Sequence, residues 1–265
     1  MTVSFDKGFK GLLPFLSCSL HIAHNGFHKG IVCFGQDAQQ LSFDLHWWFK
    51  ASPCKVEDYK QFSDDLNSEH RGTIPFPETC RKQMADFGEI TGTSGTVLGT
   101  NKKYFLKELP QKKDTRKTLP SNKRYMRIIR ALRDFECETL TQIKFLLGVS
   151  PVFSEYLTIF QDERLMVHVF FPKMVDLLMT LNRRFMKPSA MDVNGTGSLA
   201  ELDVSSSSVG LHLPLMELDF GQDVILHLNS ITSVSKRNEL RNAMKESLIQ
   251  MALYLQKSYL FAPSY

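Results

Sequence analysis

The stretch that most constrains this chain runs from Pro120 to Lys187. It opens on a turn signal, Leu119-Pro120-Ser121-Asn122, and then reads as helix after helix. Between Thr139 and Phe160, the apolar residues Leu140, Ile143, Leu147, Phe153, Leu157 and Phe160 recur at mostly helical spacing, with a break at Gly148 to Pro151. Proline lacks a backbone donor and clashes with the preceding turn, so Pro151 is expected to kink or restart that helix. A second run, Lys173 to Met186, places Leu177, Leu178, Leu181 and Phe185 on one face and Asp176, Asn182, Arg183 and Arg184 on the other. Pro172 is expected just inside its start and Pro188 just past its end. Neither helix can bury its stripe alone, so the two are expected to pack on each other and on neighbouring segments.

The remaining chain is long enough to support a sizeable core. At 265 residues it can hold one large domain or two small ones, and 43% hydrophobic residues mark it as globular. Its net charge of +4 does not by itself demand a nucleic acid, but the charge is uneven. Between Lys102 and Arg133 there are twelve Lys or Arg and only two acids, Glu108 and Asp114. Five widely spread cysteines, Cys18, Cys33, Cys54, Cys80 and Cys137, fit free thiols in a reducing compartment. No apolar run is long enough to span a bilayer. Lys7 and Lys10 followed by Leu12-Leu13-Pro14-Phe15-Leu16 imitate a signal peptide, but His21 and His24 follow at once without a good cleavage site.

Taken in order, residues 12–17 are apolar and read as a buried strand. Helical spacing then begins, with Leu20, Ala23, Phe27, Ile31 and Phe34. Cys18, His21 and His24 form a Cys-x-x-His-x-x-His run whose ligand types suit zinc. A structural zinc needs four ligands and no second pair follows at finger-like spacing, so these read as structural polar residues and no metal or cofactor is expected. Asp37 to Lys50 is the next helix, with Trp47 and Trp48 assigned to the core. Ser52 caps a short helix that Pro53 starts. From Ser63 to Asn101, Pro75, Pro77 and several glycines mark a loop or disorder. Arg124, Arg127, Arg130 and Arg133 step by three along a helix, either as a solvated face or as a patch facing phosphates. No aromatic interleaving accompanies them. Ser189 to Ser208 reads as a surface connection, Glu217 to Gly221 as a short strand or turn, and Ser235 to Phe261 as a long helix.

Three blocks together resemble a known family. They are Cys18-Ser-Leu-His-Ile-Ala-His-Asn-Gly-Phe27 with Trp47-Trp-Phe-Lys-Ala-Ser-Pro53; Ser121-Asn-Lys-Arg-Tyr125 through Phe160-Gln-Asp162 to Arg183-Arg-Phe-Met-Lys187; and Leu218-Asp-Phe-Gly221 with the final helix. In that order they resemble the middle of a transposase of the hAT superfamily, in its degenerate transposon-derived form. The resemblance covers roughly residues 10 to 62, 119 to 192 and 208 to 260. It implies a ribonuclease-H-like catalytic domain interrupted by a helical insertion. Such enzymes hold divalent metal on two aspartates and a glutamate, and a metal pair about 3.5 to 4 Å apart clamps the attacking and leaving oxygens. Cys18 and His21 match the family's Cys-x-x-His element. Its second catalytic aspartate would precede that element, where Asp6 is the only acid and lacks the family's context. Its last glutamate would follow Tyr265, and the Arg-Trp signature is replaced by Cys80-Arg-Lys-Gln-Met84.

The expected fold is therefore mainly α: a helical insertion domain with a fragment of a ribonuclease-H-like α/β domain. Helices are expected near 19–34, 38–50, 53–62, 121–134, 139–160, 173–187 and 236–260, with short strands near 12–17 and 216–221. The expected blocks are 1–62 (the Cys-x-x-His segment and helices), 63–118 (basic loop or disorder), 119–192 (helical core) and 193–265 (linker and C-terminal helix). The expected function is that of a non-catalytic, transposon-derived protein or remnant serving as a protein-interaction module. The alternatives are a nucleic-acid-binding module using 102–133 and a DNA-cutting enzyme whose acids would come from Asp6, Asp37, Asp44, Asp219 or Asp223. Expected partners are an unspecified protein and weakly bound, non-specific DNA, without a membrane. Cysteine usage places the chain inside the cell, and the resemblance implies the nucleus.

Overall fold

The computed structural model describes residues 19–50, 52–65, 99, 101–112, 117–133, 138–159, 167–191, 199 and 202–259. The strand expected at 12–17, Cys18 and most of the 63–101 loop lie outside them. The helices are α1 (Ser19–Cys33), α2 (Gln36–Lys50), α3 (Pro53–Asp65), α4 (Lys123–Arg133), α5 (Thr139–Ile159), α6 (Val167–Asn182), α7 (Pro188–Met191), α8 (Gln222–Ser230) and α9 (Val234–Tyr259). Among the described residues the architecture is mainly α, with no strand, and no helix is long and apolar enough to cross a membrane.

The chain divides into two compact units that alternate along the sequence. The first takes the described parts of Met1–Phe34, Pro151–Phe220 and Val234–Tyr265; the second takes those of Gly35–Ser150 and Gly221–Ser233. In the first unit α1 lies along α9. Ala23, Phe27 and Ile31 of α1 and Leu240, Met244, Leu248, Met251 and Leu255 of α9 are all buried. Phe27 also meets Phe153 of α5, with ring centroids 5.1 Å apart. Two glycines one helical turn apart set the α1–α9 spacing. A Cβ at Gly26 would fall 2.8 Å from Leu255 Cδ2, and one at Gly30 would fall 2.6 Å from Met251 Cγ and 2.9 Å from Ser247 Oγ. The bare backbone lets the Ser247 hydroxyl donate to Gly30 O at 2.9 Å.

The second unit is built around aromatic side chains. Trp48 and Phe49 of α2, Tyr59 of α3, Tyr104 and Phe105 of a helical turn, and Tyr125 of α4 form a chain of ring contacts at 5.2 to 6.5 Å. Tyr104–Glu108 is a π-helical turn and Leu109–Gln111 a 3-10 turn, so part of the expected 63–118 loop is ordered. Burial of Tyr104, Phe105 and Leu109 offsets the chain entropy that the local Lys and Pro content would otherwise favour. Asn122 caps α4, its Oδ1 accepting from Arg124 N at 3.0 Å and Tyr125 N at 3.1 Å.

Three local expectations are corrected. Pro151 lies inside α5, which runs through it without restarting. Having no N–H, Pro151 leaves Leu147 O without its ladder donor, and the Ser150 hydroxyl donates to that oxygen at 3.4 Å. Pro172 also lies inside its helix, because α6 begins at Val167 rather than beside the proline. Residues 216–221 form no strand. Leu218 and Phe220 are buried and Asp219 exposed, a period of two, but no ladder forms: Asp219 N donates to Arg184 O at 2.9 Å and Glu217 N to Pro214 O at 2.9 Å. The one β-type pairing among described residues is an isolated bridge, Met186 to His212. Helix α8 arises where no helix was expected, starting after Gly221 at φ 91° and burying Val224 and Leu228.

His212, buried in the first unit, stands edge-on to Phe185 with centroids 5.5 Å apart. Burial holds its imidazole below the ordinary value and Lys245 adds to this, while the Val204 backbone, Asp203 and Glu246 oppose it. The unfolded chain therefore takes up the proton first, so this contribution to stability is full above the ordinary histidine pKa and is lost as pH falls through it. Urea midpoints measured from about pH 7.5 to 5 should fall more steeply in the wild type than in His212→Leu; equal slopes would contradict a buried neutral imidazole. Gly30→Val should cost about 1–3 kcal/mol by overpacking against α9, and an unchanged midpoint would show that the helices do not meet there.

Candidate functional site

The arginine helix supplies the starting point. Tyr125, Ile128, Ile129 and Leu132 form the buried face of α4. At 100° per residue, a step of three moves the side chain back by 60°, so the four arginines sweep half a turn. Arg124 and Arg133 end on opposite edges of the buried face, with Arg127 and Arg130 between them on the solvent side. They are not one flat patch.

Helix α2 fixes what each arginine does. Asp37, Gln40, Asp44 and Trp47 recur at helical spacing and line one side of α2. The Asp44 side chain is only 4% exposed. It accepts from Arg127 at both oxygens, 2.7 Å from Nε and 2.5 Å from NH2, and from Gln40 Nε2 at 3.1 Å. The carboxylate hydrogen bond raises the Arg127 pKa above its ordinary value. Arg124 Nε stands 3.7 Å from the same carboxylate, and its NH1 donates to Trp47 O at 3.4 Å, near the end of α2. Asp37, Gln40, Leu41, Asp44, Arg127, Arg130 and Glu138 line a groove of about 410 Å³ here.

Beyond Asp44 the face changes character. Trp48 is buried, but Trp47 is 48% exposed, so only one of the two tryptophans expected in the core is there. Lys50 Nζ lies 4.9 Å from the Trp47 ring centroid, and His46 meets the ring edge-on at 5.5 Å. Lys55 Nζ lies 3.7 Å from the Trp48 ring. Burial pushes the Lys55 ammonium down, and the nearby Arg124 pushes it further; burial and Lys50 do the same to His46. One ammonium thus lies against the exposed indole of Trp47 and another against the buried indole of Trp48.

The other expected site residues lie elsewhere. His21 is exposed on α1 in the first unit. His24, half-buried on the same helix, is held down by burial, then by His28 and His21. Cys18 lies outside the described residues. Among the described residues no three His, Cys, Asp or Glu side chains come together as metal ligands. Asp37 engages Gln142 Nε2 at 3.3 Å, while Asp44 is occupied by Arg127. Trp47, Lys50 and Lys55 were missed as site residues. The sequence signal available was the i, i+3 pair Trp47–Lys50, which the adjacent Trp48 disguised as core.

Comparison with family models, with curated proteins and with solved structures finds no match to this chain. The class that the fold itself defines is a mainly helical protein with an aromatic and cationic face on its second unit.

That face predicts a charge-selective quenching pattern. The ratio of iodide to caesium quenching of the accessible tryptophan should exceed that of a neutral tryptophan amide at equal ionic strength, and Trp47→Phe should remove most of that component. A ratio equal to the free amide's would show that no positive field surrounds the indole.

Proposed function

We propose that this chain is a non-catalytic, transposon-derived interaction module that makes contact through the α2–α4 face of its second unit. The supporting observation is the half-exposed Trp47 beside a mixed-charge groove. An indole left in water next to ordered charged groups is the composition of a contact surface, in which an aromatic anchor supplies area and the rim supplies selectivity. The resemblance to hAT transposases supports the descent. Under this reading the helices correspond to the insertion domain, the first and last blocks derive from a ribonuclease-H-like domain, and the protein works in the nucleus. Cys18 and His21 then have structural rather than catalytic roles.

A second reading, nucleic-acid binding through 102–133 as a continuous basic stripe, draws support from Arg130 and Arg133. Both are exposed and have no ion pair among the described residues. Asp44 weighs against the continuous form, because it binds Arg127 and attracts Arg124.

Purified protein is expected to leave supercoiled plasmid intact in the presence of magnesium or manganese. In-line phosphoryl transfer develops charge on two oxygens that a metal pair must offset, and hard cations need several converging oxygen ligands. Metal-dependent nicking that is lost on substituting one acid of this chain would overturn the non-catalytic reading.

A further inference from the structure

The face described above carries two features that are each costly without a partner. Trp47 keeps 48% of its surface in water, although buried Trp48 shows that this helix can enclose an indole. Lys50 Nζ lies 4.9 Å from the Trp47 ring centroid, Arg124 NH1 donates to Trp47 O at 3.4 Å, and Lys55 Nζ lies 3.7 Å from the neighbouring Trp48 ring. The near acid is Asp44, and it is buried and already held by Arg127 and Gln40. Asp37 lies ten residues up α2 from Trp47, about 15 Å along the helix axis. Asp58, on α3, is paired with Lys112 at 2.9 Å. Among the described residues, the ion pairs around this face join Asp44 to Arg127 and Arg124, and Asp58 to Lys112.

We infer that this face binds a single strand of nucleic acid, with a base stacked on Trp47 and the adjoining phosphates met by Lys50 and Arg124. The inference rests on reading the α2–α4 face as the contact surface, and it names the partner. A stacked base needs a flat, accessible π-face, and a backbone phosphate needs a cation within a few ångströms of that ring; single-strand binders join these two elements. A duplex keeps its bases inside the stack and offers the indole nothing. An acidic peptide would use the cations and leave the indole without a planar partner. The arginine stripe gains its missing aromatic in three dimensions: Trp47 comes from α2, seventy-seven residues before Arg124, which donates to its carbonyl. Lys50 and Arg124 carry the electrostatic part, while Arg133, on the opposite edge of α4, takes no share.

The test is fluorescence anisotropy with labelled twelve-nucleotide probes of oligo-dT and oligo-rU, a DNA duplex of equal length, a heparin fragment and a poly-glutamate peptide. The full chain is used throughout, with circular dichroism of each variant as the control for folding. Single strands should bind more tightly than the duplex. Trp47→Ala should weaken single-strand binding by about fivefold or more, and Trp47→Phe should recover part of the loss. Lys50→Gln should lower the slope of log affinity against log salt by about one. Arg133→Ala should change nothing. A preference between the dT and rU probes assigns DNA or RNA, and either result is consistent with the proposal. Unchanged affinity in a folded Trp47→Ala variant would overturn it. So would equal binding of heparin and single strand, which marks a plain polyanion surface, or preferential binding of the peptide, which marks a protein-docking face. None of these outcomes bears on plasmid nicking, so this inference can fail while the non-catalytic reading stands.

Discussion

One buried carboxylate organises the second unit. Asp44 sits at the interface of α2 and α4 and is reached by Arg127, Arg124 and Gln40. Taking a carboxylate out of water costs several kcal/mol in general, and it is tolerated only where hydrogen bonds and opposite charge replace the lost hydration. The bidentate Arg127 guanidinium supplies both. That requirement is met with α4 turned so that Tyr125 joins the aromatic cluster and Ile128 and Leu132 are buried. The same rotation sets Arg124 against the end of α2, where it meets Trp47 O and crowds Lys55. The contact face is thus a by-product of satisfying one acid.

The first unit depends on backbone approach. Gly26 and Gly30 remove the side chains that would separate α1 from α9, and the Ser247 hydroxyl uses the space to reach a main-chain oxygen. Close helix contact of this kind increases the number of dispersion contacts per residue. It also makes the pairing intolerant of added volume, since overpacking forces side chains off their rotamers and shifts the backbone.

Much of this fold was legible in the sequence wherever local chemistry agreed with tertiary demand. Asn122 and Pro53 mark helix starts, and the α9 stripe of Leu240, Met244, Leu248 and Leu255 is the buried one. Sequence reasoning failed where packing overrode local preference. Pro151 and Pro172 sit inside helices, because one lost ladder bond is small against a buried helical face. Leu218 and Phe220 alternate as a strand would, yet no neighbouring strand exists among the described residues to pair with them. The aromatic pair Tyr104-Phe105 was hidden among lysines. Of the candidate site, the arginine periodicity was readable, but its partition was not. Which arginine meets Asp44, and which tryptophan stays outside, depends on a contact between residues more than seventy positions apart.

The arginines of α4 divide between a structural clamp on Asp44 and the solvent side of the helix. A double-mutant cycle on unfolding free energy measures this directly. Asp44→Ala combined with Arg127→Ala should be strongly non-additive, because either single change already breaks the clamp, whereas Asp44→Ala combined with Arg130→Ala should be additive within about 0.5 kcal/mol. Additivity in the first pair, or coupling as large in the second as in the first, would contradict the account.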